Sequence, residues 1–196
     1  MKPIIFDVGG VLVDYQRDAM VDSITRECRA GSTFDAMVGI MTSLSLSEGH
    51  HTVDDLFSEL VDQLGFVGTR EKLTHYWVNS LGARDWVSEF ISELGKRTTL
   101  FILSDTNEVH WSHIGAQLLD LNQFEKVFLS HELFMIKPDG HVFEHVLAEI
   151  DVAAEQCLFI DDTLGNVKMA RSFGLQGHHF QTLERMTAAI NLHLED

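Results

Sequence analysis

The sequence contains few cysteines, few prolines and few basic residues. Its two cysteines, Cys28 and Cys157, lie far apart and outside any metal-binding spacing, so we expect reduced thiols rather than a disulfide. No apolar run approaches the length of a membrane span, and the first residues lack the basic region, apolar run and cleavage site of a signal peptide. We therefore expect a cytoplasmic protein.

Positive charge is scarce. Asp and Glu total 30 against 14 Lys and Arg, which gives a formal net charge of −16. Such a surface repels nucleic-acid backbones and anionic lipids, so we expect neither nucleic acid nor membrane as a partner. An anionic substrate would need local cations or a metal ion in its binding site, because the protein's overall field opposes it.

Four short apolar runs are typical of buried parallel strands. They cover residues 3–6, 99–103, 126–129 and 157–160, and each ends in polar residues. Apolar residues at helical spacing lie between the runs, as in the face formed by Trp86, Phe90, Ile91 and Leu94. Strands that alternate with helices indicate an α/β fold with a doubly wound parallel sheet.

The alternation is interrupted after the first strand. Residues 15–80 are rich in helix formers and contain no convincing strand pattern. We predict a core formed by residues 1–14 and 81–196, with residues 15–80 inserted as a small helical cap. A cap inserted there would lie over the carboxyl edge of the sheet, where open α/β sheets bind their ligands.

Polar residues follow the predicted strands at this same edge. They include Asp7, Ser104, Asp161 and Asp162, and Lys137 enters from the segment after the 126–129 strand. Three carboxylates in one crevice repel one another unless a cation offsets their charge. Mg²⁺ suits such oxygen ligands and keeps coordination positions for water and a phosphate group. One carboxylate is then free to attack, while a hydroxyl and an ammonium group hold phosphoryl oxygens.

Four motifs occur in the order DVGGV, LSDTN, KPDGHVF and FIDDTLGNV. Together they resemble the four motifs of the haloacid dehalogenase-like (HAD) hydrolase superfamily, over about residues 6–174. The first, second and fourth are most similar to the branch that contains α-D-glucose-1-phosphate phosphatase-like enzymes. The resemblance implies a Rossmann-like core, a cap that selects the substrate, and Mg²⁺ as cofactor.

The resemblance also implies a role for each motif residue. Asp7 corresponds to the nucleophile that becomes a transient aspartyl-phosphate. Ser104 corresponds to the phosphate-binding hydroxyl, and Lys137 to the cation that steadies the nucleophile and the phosphoryl group. Asp162 corresponds to a direct metal ligand, Asp161 to a ligand acting through water, and Asp7 is itself a metal ligand.

Gly9 departs from the usual pattern. Most phosphatases of the superfamily carry a second Asp at this position as general acid and base, whereas Gly9 offers only its backbone carbonyl to the metal. General acid–base assistance is worth roughly 10²–10⁴-fold in rate, so its loss would slow catalysis without preventing it. Our hypothesis is that water, His110 or Asp14 carries the proton instead.

Further departures concern the substrate side. Asp105 stands where relatives usually carry Asn, and we count it with His110 among the substrate-binding residues. Phe134 and Ile136 stand where relatives often carry Gly and a basic residue.

These observations predict a Mg²⁺-dependent phosphatase acting on a small phosphorylated metabolite, such as a sugar phosphate, through an aspartyl-phosphate. One alternative is a haloacid dehalogenase, which also uses a nucleophilic Asp but needs no Mg²⁺-binding pair. Another is a non-catalytic or very slow binding protein of the same fold.

Residues 141–145 also match the H-x-x-E-H zinc-protease pattern, for which no further acidic ligand is identifiable. The oligomeric state stays open.

Overall fold

The computed structural model describes residues 2–195, with the backbone alone at residue 138. Within that range the strands are β1 (Ile4–Phe6), β2 (Val13–Tyr15), β3 (Leu81–Ala83), β4 (Leu100–Ser104), β5 (Lys126–Leu129), β6 (Leu158–Asp161) and β7 (Gln176–His179). Five of them form one parallel sheet in the order β5–β4–β1–β6–β7, and two antiparallel strands, β2 and β3, pair separately. The predicted doubly wound α/β fold is confirmed.

Helices cover both faces of the parallel sheet. Alternate residues of β1 face opposite ways: Ile4 and Phe6 join one apolar cluster, and Ile5 joins the other. The first cluster includes side chains from α5 (Val87–Gly95) and α10 (Leu183–Glu195). The second includes side chains from α8 (His141–Ile150) and α9 (Leu164–Ser172). Burial on both faces explains why the strand sequences are almost continuously apolar.

The segment after β2 is helical, as predicted. It contains α1 (Arg17–Thr25), α2 (Phe34–Ser43), α3 (Val53–Leu64) and α4 (Arg70–Val78). Thr33, Thr52 and Thr69 cap the last three of these helices by accepting a backbone N–H, which is the usual role of Thr at that position. The four helices enclose an apolar cluster of their own, which includes Val21, Met37, Leu56, Leu60 and Trp77.

Strands β2 and β3 bring the two ends of this helical segment together. Tyr15 pairs with Leu81, and Val13 pairs with Ala83. The chain therefore leaves the sheet and returns to it at one place. A core of residues 1–14 and 81–196 with a cap of residues 15–80 stays our prediction, and this pairing supports it.

The helical segment lies over the carboxyl edge of the sheet. The Trp77 indole N–H donates to Asn107 Oδ1 at 3.2 Å, just beyond β4. The Val53 N–H donates to Glu108 at 3.2 Å, on α6 (Glu108–His113), which continues into a π-helical turn over Ile114–Leu118. Gly49 lies against the backbone of His131, on α7 (Ser130–Leu133). These contacts place the helices above the residues that follow β4 and β5.

Among the described residues, no helix combines the length and the apolar character that crossing a membrane requires.

The turn after β1 depends on a glycine at position 10. Gly10 has a φ of +75°, and a Cβ at this position would overlap the Asp162 carboxylate. The Gly10 N–H donates to the Val13 carbonyl at 2.8 Å, and Arg84 donates to the Gly10 carbonyl at 3.0 Å. The neighbouring Gly9 has no such constraint, since a Cβ there would meet only Tyr15, at 3.9 Å.

We expect Gly10→Ala to destabilise the protein and Gly9→Ala to be tolerated. The left-handed φ alone costs an L-residue about 1–2 kcal/mol, and displacing the Asp162 carboxylate adds to that cost. Gly9→Ala should change the free energy of unfolding by less than about 1 kcal/mol. Urea titration of both variants measures the difference, and equal stability of the two would contradict this description of the turn.

Candidate active site

Three carboxylates converge at the carboxyl edge of the sheet. Asp7 follows β1, Asp161 ends the adjacent strand β6, and Asp162 comes next. One oxygen from each lies within 4.8 Å of the other two. Within residues 2–195 this is the one group of His, Cys, Asp or Glu side chains found close enough to hold a metal ion.

Lys137 joins two of these carboxylates. Its ammonium nitrogen lies 2.7 Å from Asp7 Oδ1 and 2.8 Å from Asp161 Oδ2, and its side chain is only 2% exposed. Burial alone would lower the pKa of Lys137, but the charges of Asp7, Asp161 and Asp105 raise it above its usual range. The lysine is therefore a permanent cation. Its backbone N–H donates to the Asp105 carboxylate at 3.2 Å, which fixes the start of the Lys137–Asp139 turn.

Asp161 is held on all sides. The Thr163 N–H donates to its Oδ1 at 2.7 Å, and the Asn166 amide lies 3.2 and 3.1 Å from its two oxygens. With Lys137 on Oδ2, both oxygens are engaged in hydrogen bonds, and the residue is fully buried. Asp161 thus orients Lys137, and this environment supports a contribution to metal binding through water rather than by direct contact.

Asn166 is a site residue that the sequence reasoning missed. It lies within the quoted FIDDTLGNV motif, on the first turn of α9, five residues after Asp161. A polar residue there, in a helix that packs against the sheet, was the available signal. Ser130, directly after β5, was also missed as a site residue. Its hydroxyl accepts the Thr106 N–H at 2.9 Å and fixes the loop after β4.

The donor set fits a hard divalent cation. Burial raises the pKa of Asp7 to about 7, although Lys137 opposes the shift. Burial, together with the charge of Asp161, also raises the pKa of Asp162. Both shifts show that burial disfavours the charged form of these carboxylates, and a cation with oxygen ligands would stabilise that form. Carboxylate oxygens and the Gly9 carbonyl are ligands that Mg²⁺ prefers.

Two neighbouring cavities open at this site. The smaller, about 240 Å³, is lined by Asp7, Gly9, Gly10, Tyr15, Asp105, Lys137, Asp162, Thr163 and Asn166. The larger, about 380 Å³, extends under the helical segment and includes Ser104, Asp105 and His110 in its lining. The predicted site residues are thus distributed over two connected spaces, with Asp161 buried behind the smaller one.

His110 has no free nitrogen for proton transfer. Its Nε2 lies 3.0 Å from the Trp77 carbonyl, which can only accept, and its Nδ1 lies 3.4 Å from the Asn107 amide. Burial lowers the pKa of His110 to about 4, so the imidazole is neutral. This geometry contradicts our hypothesis that His110 carries the missing proton. A role in shaping the substrate cavity stays a prediction.

Asp14 forms an ion pair with Arg84, in which its carboxylate lies 2.7 Å from Arg84 Nε. A role for Asp14 in carrying the missing proton stays a prediction.

The H-x-x-E-H pattern does not form a metal site. His141 and Glu144 lie 3.5 Å apart on α8, with side chains 76% and 65% exposed. The one metal-competent cluster of the described chain is the aspartate group above.

Phe134, at the end of α7, has a φ of +56° and is 60% exposed, with its ring stacked on His50. It therefore lies on the surface rather than against the carboxylates.

We expect His110 to make the protein acid-sensitive. Since its pKa falls from 6.5 to about 4 on folding, the unfolded chain binds more protons between these pH values. Stability is therefore lost as the pH drops through this range, by up to about 3 kcal/mol. His110→Gln should remove most of this loss. Urea titrations at pH 7 and pH 4.5 measure it, and an unchanged pH dependence in the variant would refute the assignment.

Comparison with known proteins agrees with this architecture. Residues 1–174 match the family model of the haloacid dehalogenase-like hydrolases. The chain is 26% identical over 185 residues to D-ribitol-5-phosphate phosphatase of Bacteroides thetaiotaomicron, covering 90% of each chain. It is 27% identical over 180 residues to the sesquiterpene phosphatase astK of Aspergillus oryzae, covering 91% of this chain and 89% of that protein.

A solved structure has the same fold. The HAD family enzyme bt-2542 of Bacteroides thetaiotaomicron, in complex with magnesium and inorganic phosphate, superposes with a TM-score of 0.81. It is 20% identical, and the match covers 95% of this chain and 98% of that one. The predicted family is confirmed: the chain belongs to the haloacid dehalogenase-like hydrolases.

Proposed function

We propose that this protein is a Mg²⁺-dependent phosphatase that hydrolyses a small phosphorylated metabolite through an aspartyl-phosphate at Asp7. The observation that carries the proposal is the buried contact of Asp7 with Lys137, at 2.7 Å, beside two further aspartates. A nucleophilic carboxylate, a permanent cation and a metal-competent acidic cluster are together the parts that phosphoryl transfer requires.

In the first step an oxygen of Asp7 forms a bond to phosphorus, and the electron pair of the P–O ester bond passes to the leaving oxygen. In the second step water hydrolyses the aspartyl-phosphate, which releases inorganic phosphate and regenerates Asp7. Lys137 and the Ser104 hydroxyl bind phosphoryl oxygens during both steps. Asp161 acts as a positioning residue that holds Lys137 in place.

Asp7, Asp162 and the Gly9 carbonyl are the groups that would hold Mg²⁺, with Asp161 contributing through water. The bound cation offsets the charge of the carboxylates and of the phosphate. Without such a cation a substrate phosphate would approach several aspartates and one lysine, in a protein whose net charge is −16. The proposal therefore includes the metal as an essential part.

The larger cavity supports a sugar phosphate or polyol phosphate as substrate. Nine of its lining residues carry hydroxyl or charged groups: Tyr15, Arg17, Thr42, Ser45, Ser47, Glu48, Ser104, Asp105 and Thr106. Substrate hydroxyls can hydrogen-bond to these groups, whereas a hydrocarbon chain would remove them from water without replacing their hydrogen bonds. One relative is named for a ribitol phosphate and the other for a sesquiterpene. The hydroxyl and charged groups support the first chemistry, and the apolar lining residues, which are Met41, Leu46, Trp77, Leu81, Ile114 and Ile136, would contact the carbon skeleton of either substrate.

We expect phosphate release from sugar and polyol phosphates to require Mg²⁺ and Asp7. EDTA should abolish the activity, and Asp7→Asn should lower kcat roughly 10³-fold or more. Asp151→Asn is the matched control, because this exposed residue lies between α8 and β6, away from the carboxyl edge. A phosphate-release assay over sugar, polyol and prenyl phosphates measures these effects.

Two outcomes would contradict the proposal. Release of halide from a haloacid in the presence of EDTA would favour a dehalogenase. Absence of turnover over the whole panel, together with failure of beryllofluoride to bind at Asp7, would favour a non-catalytic binding protein.

A further inference from the structure

The two cavities meet at three residues. Gly9, Tyr15 and Asp105 line both the 240 Å³ space beside Asp7 and the 380 Å³ space under the helices. If the proposed phosphatase function holds, the phosphoryl group binds beside Asp7 and Lys137 in the first space and reaches Ser104 in the lining of the second, into which the rest of the ester extends. The bridging ester oxygen then lies where the spaces join, beside these three residues.

Only one of the three can donate a hydrogen bond from an uncommitted side chain. Gly9 has no side chain, and the Asp105 carboxylate accepts the Lys137 N–H at 3.2 and 3.4 Å. Tyr15 carries a hydroxyl for which the described part of the chain provides no hydrogen-bond partner, and it is 39% exposed. Because Tyr15 belongs to the lining of both cavities, a hydroxyl without a partner on this residue is available to a ligand.

The Tyr15 ring is held firmly at the junction. Its backbone pairs with Leu81 in the β2–β3 ladder, and its ring packs edge-on against His110 with centroids 5.5 Å apart. His110 in turn stacks on Trp77 at 5.3 Å. On its other side, Tyr15 Cβ and Cδ1 lie 3.9 Å from the point that a Cβ of residue 9 would occupy. Tyr15 therefore borders the space left open by the missing side chain.

We propose that the Tyr15 hydroxyl donates a hydrogen bond to the bridging oxygen of the ester and stabilises the charge that develops there as the P–O bond breaks. Asp7 gains the bond to phosphorus, the leaving oxygen takes the electron pair, and water supplies its proton. Protonation of the leaving oxygen by water forms a hydroxide ion. This hydroxide is consumed when the aspartyl-phosphate is hydrolysed to the Asp7 carboxylate and inorganic phosphate, so the net reaction consumes one water. Tyr15 keeps its own proton throughout. Burial raises the pKa of Tyr15, which agrees with a phenol that stays neutral.

The test is the dependence of kcat/KM on the leaving group. This parameter reports phosphoryl transfer to Asp7 even where hydrolysis of the aspartyl-phosphate limits kcat. Tyr15→Phe should lower kcat/KM for an alkyl phosphate roughly 10- to 100-fold, as expected for loss of a hydrogen bond to a developing charge. The same variant should keep kcat/KM for p-nitrophenyl phosphate within about twofold of the wild-type value, because the p-nitrophenolate leaving group is stable without a hydrogen-bond donor.

Two further variants separate catalysis from folding. Tyr76→Phe is the matched control: Tyr76 is the other tyrosine of the chain, and its hydroxyl donates to Glu27 at 3.1 Å in the helical segment. The Tyr76→Phe variant should have wild-type kcat/KM values for both the alkyl phosphate and p-nitrophenyl phosphate. Adding Gly9→Asp to Tyr15→Phe should restore part of the alkyl phosphate activity, since the space at residue 9 admits a side chain that borders the same junction.

Each result has a definite reading. If Tyr15→Phe lowers kcat/KM equally for both substrates, or lowers it for neither, the proposed role of Tyr15 is wrong while the phosphatase function stands. A wild-type protein inactive on both substrates with Mg²⁺ would overturn the proposed function itself, and the Tyr15 proposal with it.

Discussion

The buried ammonium of Lys137 is the interaction on which the rest of the site depends. It contacts Asp7, which follows β1, and Asp161, which ends the neighbouring strand β6, and all three side chains are at most 9% exposed. Removing one partner of such a buried ion pair typically costs about 3–5 kcal/mol, because the other charge is left unpaired. Lys137 thus fixes the position of the nucleophile and neutralises part of the charge collected at the sheet edge.

One lysine does not balance this charge. Asp7, Asp105, Asp161 and Asp162 contribute four carboxylates, and burial raises the pKa of Asp7, Asp105 and Asp162. The imbalance suits a site built to receive a divalent cation, since a cation restores neutrality where further basic residues are absent from the lining of the smaller cavity. The acidic composition and the local geometry therefore lead to the same requirement.

Much of the fold followed from the sequence. The four predicted strands lie within one residue of β1, β4, β5 and β6, because burial on both faces produces continuous apolar runs. Strand β7 was missed, since Gln176–His179 pairs only with β6 at the edge of the sheet and carries no apolar residue. Its strand conformation comes from the partner strand rather than from its own composition.

The sequence by itself determined which residues could form the site, because parallel strands deliver the residues after their carboxyl ends to one edge. It also determined the family, through motifs in a fixed order. Only the tertiary structure decided how these groups are used. It tied both nitrogens of His110 to partners, paired Asp14 with Arg84, enclosed Asp161 in hydrogen bonds and placed Tyr15 between two cavities. Partners and burial depend on contacts between segments far apart in the chain, and those contacts exist only once the chain has folded.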